Sequence, residues 1–87
     1  MNQKKVLFVD DDKFLLDMYA LKFTKAGYEV RTSDSTEGAL KLLRDGFSPD
    51  LMMVDIIMPG MDGLDMVTAV RKEKLAEKAV VVFLTNQ

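Results

Sequence analysis

The sequence predicts an α/β domain built on a parallel sheet, on three observations. The run Val6-Leu7-Phe8-Val9 is short, wholly apolar and rich in β-formers, the pattern of a strand buried on both faces, and it ends in three carboxylates, Asp10, Asp11 and Asp12. A second run, Leu51-Met52-Met53-Val54, also ends on an acid, Asp55. Around these runs, segments of helical periodicity alternate with β-rich ones, in the order strand, helix, strand, helix, strand, helix, strand. Such alternation implies parallel strands joined by right-handed crossovers.

Each element has its own signals. Lys13 to Ala26 reads as the first helix, with Leu15, Met18, Tyr19 and Phe23 on an apolar stripe that Phe14 and Leu21 widen. Asp12 is placed to cap its start, and Gly27 to stop it in a left-handed turn. Tyr28 to Thr32 alternates apolar and polar residues, as a half-buried edge strand does. Asp34 stands at a cap position with Glu37 three residues on, a variant of the capping box, and Ala39, Leu40, Leu42 and Leu43 give the second helix its apolar side. Gly46 ends that helix, and Pro49 keeps Ser48 extended ahead of the strand Leu51 to Val54. Leu64, Met66, Val67 and Val70 mark a third helix running to about Lys74. Ala79 to Leu84 is a strongly β-branched fourth strand, followed by Thr85-Asn86-Gln87.

The 87 residues have room for one domain. Hydrophobic residues at 48% and charged residues at 30% are an ordinary globular balance, and a net charge of -2 gives no basic footprint for nucleic acid. Without cysteine there is neither a disulfide framework nor a zinc–thiolate site. Without histidine, the commonest general base and transition-metal ligand is missing. No apolar run approaches the ~20 residues of a membrane span. Met1 to Lys5 leads into the first strand without the apolar core of a signal peptide, so a cytoplasmic location is expected.

The chemistry lies in the acids. In an open α/β sheet, ligands sit in the crevice beyond the carboxyl ends of the strands. Asp10, Asp11 and Asp55 end two strands expected near the centre of the sheet, and neighbouring strands lie ~5 Å apart. Carboxylates converging over such distances repel, so some must protonate or a cation must neutralise them. Oxygen ligands with room for water suit Mg²⁺ better than zinc or copper. Helix capping is the plainer explanation of Asp10 to Asp12, although one aspartate suffices for it. Asp55 has a further possible role, as a nucleophile that takes up a phosphoryl group as an acyl phosphate. Thr85 would bring a hydroxyl to the same crevice, or would simply end a strand. Pro59, Gly60 and Gly63 make turns, Asp62 can cap the third helix, and the seven methionines read as core filler.

Taken together, Phe8-Val9-Asp10-Asp11-Asp12, then Val54-Asp55 followed by Met58-Pro59-Gly60-Met61-Asp62-Gly63, then a β-rich strand into Thr85, closely resemble the receiver domain of two-component response regulators, along the whole chain. The resemblance implies a flavodoxin-like three-layer fold with strand order 2-1-3-4. It also implies that Asp55 is the phosphoacceptor and that Asp10, Asp11, Asp55 and the backbone carbonyl of Ile57 hold Mg²⁺. Thr85 would be the switch hydroxyl, and the phosphoryl donor a phosphohistidine on a sensor histidine kinase or phosphotransfer protein.

The resemblance breaks after Thr85. A receiver continues with a helix, a fifth strand carrying a lysine and a switch aromatic, and a last helix. Residues 1–87 thus read as a truncated receiver, with the fifth strand and last two helices missing. Asn86 stands where a small residue is usual. A fourth strand with one bare edge, and a sheet face without its last helix, lead us to expect self-association as a homodimer. The competing reading is a structural or self-association domain, an engineered or natural receiver fragment that no longer takes phosphate. A Mg²⁺-dependent phosphatase of the aspartyl-nucleophile type fits less well, because Ile57 stands where its acid/base aspartate belongs.

Overall fold

A computed structural model of the chain describes residues 3–58 and 60–84. Its elements follow in the order β1 (Lys5–Val9), α1 (Lys13–Lys25), β2 (Glu29–Ser33), α2 (Thr36–Arg44), β3 (Leu51–Asp55), α3 (Gly63–Lys72) and β4 (Val80–Leu84). All strand pairings are parallel and the sheet order is β2-β1-β3-β4, the order implied by the resemblance. The register sets Val6 beside Leu51 and Val9 beside Val54, so β1 and β3 end level with each other and carry their acids to the same edge.

Helices cover both faces of the sheet, giving three layers. Because strand side chains alternate, Leu7, Val9, Met52 and Val54 face α2 and α3, where Ala39, Leu40, Leu43, Met66 and Val70 close the larger core. Val6 and Phe8 face α1 and pack with Leu16, Tyr19 and Phe23. The Phe8 ring stacks on Tyr19 at 5.0 Å and meets Phe23 edge-on at 5.0 Å. β1 is fully buried from Val6 to Val9, as its unbroken apolar run requires.

Several expectations shift. The buried face of α1 is narrower than its sequence stripe: Phe14 is 77% exposed and Leu21 58%, because α1 lies over β1 and β2 and those two residues sit on its outer side. β2 begins at Glu29, with Tyr28 turned into the aromatic cluster against Phe23. The cap of α2 is Ser35 and not Asp34. The Ser35 hydroxyl accepts from the Gly38 amide at 3.0 Å, while Asp34 pairs with Lys13 at 3.6 Å. α3 stops at Lys72, before Lys74 and Ala76 turn left-handed at φ 59° and 48°. The expected stops at Gly27 and Gly46 adopt φ 98° and 111°, a region that glycine enters without penalty.

β4 forms an outer strand of the described sheet. Its register with β3 places Val80 and Val82 on the α1 side, but α1 does not reach that far. They are accordingly 64% and 40% exposed. Among the described residues, no helix is long and apolar enough to cross a membrane.

Candidate functional site

The site begins where β1 and β3 run out. Val9 and Val54 are paired neighbours, so the residues that follow, Asp10 and Asp55, emerge side by side at the carboxyl edge of the sheet. Both are buried, at 1% and 2% exposure, whereas Asp11 is open to solvent. Asp10, Asp11 and Asp55 each offer a carboxylate oxygen, and these atoms all lie within 4.8 Å of one another. The convergence expected from two acid-tipped strands is therefore present.

Local backbone geometry fixes two of these carboxylates. The Asp12 amide donates to Asp10 Oδ1 at 2.9 Å, and the Ile57 amide donates to Asp55 Oδ1 at 3.1 Å. In both cases the amide two residues on turns back to the aspartate that ends a strand, the habit of an Asx turn. The Asp10 amide in turn donates to the Ser33 carbonyl at 3.1 Å, which ties the end of β1 to the end of β2. Ser33 was not singled out in the sequence, because only the strand register brings it beside Asp10.

Asp12 stands apart from the cluster. Its Oδ1 accepts from the amides of Phe14 and Leu15 at 3.0 and 3.2 Å, so it caps α1. The triplet thus divides its labour: Asp12 satisfies the helix, and Asp10 and Asp11 join Asp55. Capping accounts for one of the three acids and leaves two to explain.

The loop after β3 is laced to the sheet. The Ile56 amide donates to the Leu84 carbonyl at 3.1 Å, and the Gly63 amide returns to the Ile56 carbonyl at 3.0 Å. Asp62 caps α3 as expected, its Oδ1 accepting from the Asp65 amide at 2.8 Å. The Ile57 side chain stands 74% exposed at the mouth of the acid cluster. Gly60 takes φ 78°. Thr85, expected as the switch hydroxyl, together with Asn86 and the turn residue Pro59, lies outside the described residues.

Three nearby carboxylates, two of them buried, bring oxygen donors together, and this donor set fits Mg²⁺. A helix N-terminus, that of α1, opens directly beyond them.

Comparison with known proteins agrees with this geometry. Residues 6–87 match the family model of the response regulator receiver domain. An uncharacterized transcriptional regulatory protein, YrkP of Bacillus subtilis, is 36% identical over 81 residues, which is 93% of this chain and 33% of that protein. The chain thus spans about a third of the length of the curated relatives it matches. Among solved structures, the chemotaxis protein CheY4 of Vibrio cholerae superposes with a TM-score of 0.91 at 31% identity, covering 99% of this chain and 71% of that one. The response regulator TrrA of Thermotoga maritima, solved in complex with Mg²⁺-BeF, gives 0.83 at 35% identity, covering 95% and 70%.

Proposed function

Because the chain belongs to the response regulator receiver domain family, we propose that it is the phosphoacceptor module of a two-component phosphorelay, with Asp55 as the acceptor. The observation that carries this reading is the meeting of Asp10, Asp11 and Asp55 within 4.8 Å at the carboxyl edge of the sheet.

The chemistry follows from the residues. A carboxylate oxygen of Asp55 bonds to phosphorus as the P–N bond of a phosphohistidine breaks. The departing imidazole nitrogen keeps the electron pair and takes a proton from water, and the product is an acyl phosphate. Asp55 is presented by a buried strand end, and its Oδ1 is held by the Ile57 amide, so the nucleophile is oriented before its partner arrives. Asp10 and Asp11, with Asp55 and the Ile57 carbonyl, would hold Mg²⁺, as supported by the oxygen donor set and by the Mg²⁺-BeF complex of the TrrA relative. When bound, Mg²⁺ supplies the positive charge that lets a phosphoryl group approach several carboxylates. Thr85, next after β4, is the switch hydroxyl in this reading.

The partner in this reading is a sensor histidine kinase or phosphotransfer protein, met by this chain in the cytoplasm. Phe14, on the first turn of α1, and Ile57 are large apolar side chains exposed beside the acids, and they offer such a partner surface to bury. We further propose that the isolated 87-residue polypeptide self-associates through β4, where Val80 and Val82 are exposed. Residues 1–87 act as one receiver unit in this reading.

Incubation with acetyl phosphate and Mg²⁺, followed by intact-mass measurement, tests it. The mass rises by one phosphoryl group in the wild type and is unchanged in Asp55→Ala. A wild type that gains nothing would return the chain to the reading of a purely structural domain.

A further inference from the structure

We propose that Gly63 is a positioning residue for Asp55, an inference that rests on the reading of Asp55 as the phosphoacceptor. Gly63 is the first residue of α3, and it is absent from the glycines with left-handed φ, which are Gly27, Gly46 and Gly60. Its requirement is for room. A methyl group built on its Cα would collide with the carbonyl oxygen of Asp55, 3.1 Å from that carbonyl carbon and 2.9 Å from Val54 Cγ1.

What occupies the space is the backbone of the acceptor itself, and neither Val54 nor Asp55 has slack, since both are buried. The helix that follows the loop therefore rests its first Cα on the strand end that precedes it. The contact is part of a closed circuit: the Gly63 amide bonds the Ile56 carbonyl at 3.0 Å, and the next amide, that of Ile57, holds Asp55 Oδ1 at 3.1 Å. A side chain at residue 63 pushes α3 off the strand, stretches the bond to Ile56 and carries the Ile57 amide away from the carboxylate. Alanine is otherwise the better helix former, so the loss runs against local propensity.

Gly38 supplies the contrast. It also lies in a helix and is also crowded, but a methyl there meets the hydroxyls of Ser33 and Ser35, at 2.6 and 3.1 Å. Moving those hydroxyls costs the Ser35 cap of α2 and the Ser33–Ser35 bonds, which lowers stability but leaves the backbone of Asp55 in place.

The test compares Gly63→Ala, Gly38→Ala and the double variant Val54→Ala/Gly63→Ala in the 87-residue chain. The folded fraction is read by circular dichroism, labelling by acetyl phosphate with Mg²⁺ is expressed per folded molecule, and Mg²⁺ dissociation constants come from calorimetry. Gly63→Ala is expected to label about 10- to 100-fold more slowly per folded molecule and to bind Mg²⁺ more weakly, while Gly38→Ala stays close to wild type. The double variant should remain slow, because removing Val54 Cγ1 leaves the Asp55 carbonyl in place. A folded Gly63→Ala that labels at the wild-type rate, or recovery in the double variant, overturns the proposal. If Gly63→Ala unfolds, the rate is measured with trimethylamine N-oxide restoring the fold. A normal rate per folded molecule, or no fold even then, overturns it equally. A wild type that binds Mg²⁺ but takes no phosphoryl group overturns the acceptor reading instead, and Gly63 is then judged on the Mg²⁺ constants. A wild type that does neither overturns both.

Discussion

The backbone amide of Asp12 reaches back 2.9 Å to Asp10 Oδ1, while the Asp12 side chain caps α1, so one residue orients the acid cluster and starts the helix beside it. The division has a direct consequence for stability. Asn at position 10 keeps an oxygen for that amide and discards the negative charge. Asp10→Asn is therefore expected to melt higher in EDTA than Asp10→Ala, because it keeps the oxygen that the Asp12 amide bonds.

Magnesium provides the matching measurement. At ten times its Kd, a ligand of the folded state adds about 1.4 kcal/mol, or roughly 5–10 °C in the melting temperature of a domain this size. Differential scanning calorimetry of the wild type should show that rise, and Asp10→Asn and Asp11→Asn should lose most of it. A full Mg²⁺-dependent rise retained in either variant would argue against a cage built by these acids.

Asp12 itself tests capping apart from chemistry. Asp12→Ala leaves the Phe14 and Leu15 amides without their carboxylate, and the usual cost of such a loss is about 1 kcal/mol. Urea unfolding should register that cost with an unchanged m-value. Labelling of Asp55 per folded molecule should remain within a few-fold of wild type.

The opposite edge of the sheet carries a pH dependence. Asp50 Oδ2 accepts from the Lys5 amide at 2.9 Å, and Lys78 lies 3.5 Å from its Oδ1. The amide bond first, and the Lys78 charge after it, hold the Asp50 carboxyl below its ordinary value. A depressed folded-state pKa stabilises the fold above the unfolded value, about 3.9, and that benefit disappears as pH falls through the folded value. The gap in melting temperature between wild type and Asp50→Asn should be open at pH 7 and should close in the acid range. A gap independent of pH would show that the charge contributes nothing.

Phe8 is the residue on which the smaller core turns, buried and in ring contact with Tyr19 and Phe23. Phe8→Ala is expected to cost about 3–5 kcal/mol, a large part of the roughly 5–15 kcal/mol that holds a domain together. The variant should be largely unfolded by near-UV circular dichroism at 37 °C, whereas Phe8→Leu should remain folded.

Self-association of the isolated polypeptide is checked by sedimentation velocity at tens of micromolar. Val82→Glu, which sets a charge on the exposed face of β4, should shift the wild-type distribution toward monomer. A wild type that is already monomeric removes the proposal.

How legible this fold was depended on where the information resided. Val6 to Val9 announced itself because a strand buried on both faces can only be apolar. Leu51 to Val54, half-buried on its α1 side, is apolar as well, and the acids at the ends of both located the site. The Asp12 and Asp62 caps were readable because capping is local chemistry. The Ser35 cap was misplaced by one residue, since Asp34 has equal capping chemistry and its partner, Lys13, is distant in sequence. Phe14 and Leu21 fit a helical stripe but lie outside the core, because periodicity gives a face and not the reach of the sheet beneath it. The pairing of Arg44 with Glu73 at 2.8 and 2.6 Å, which joins α2 to the end of α3, had no sequence signal at all: it depends on two helices being neighbours.

β1 is hydrogen-bonded along both sides and sealed beneath helices on both faces. Its amides should therefore be the last in the molecule to exchange with deuterated solvent, through global opening alone. Asp10 and Asp11 thus follow the segment expected to open most slowly, and Asp55 ends the strand paired to it, so a reaction there pushes against a stiff floor. The displacement it causes must then travel outward, into the loops and helices that rest on that floor.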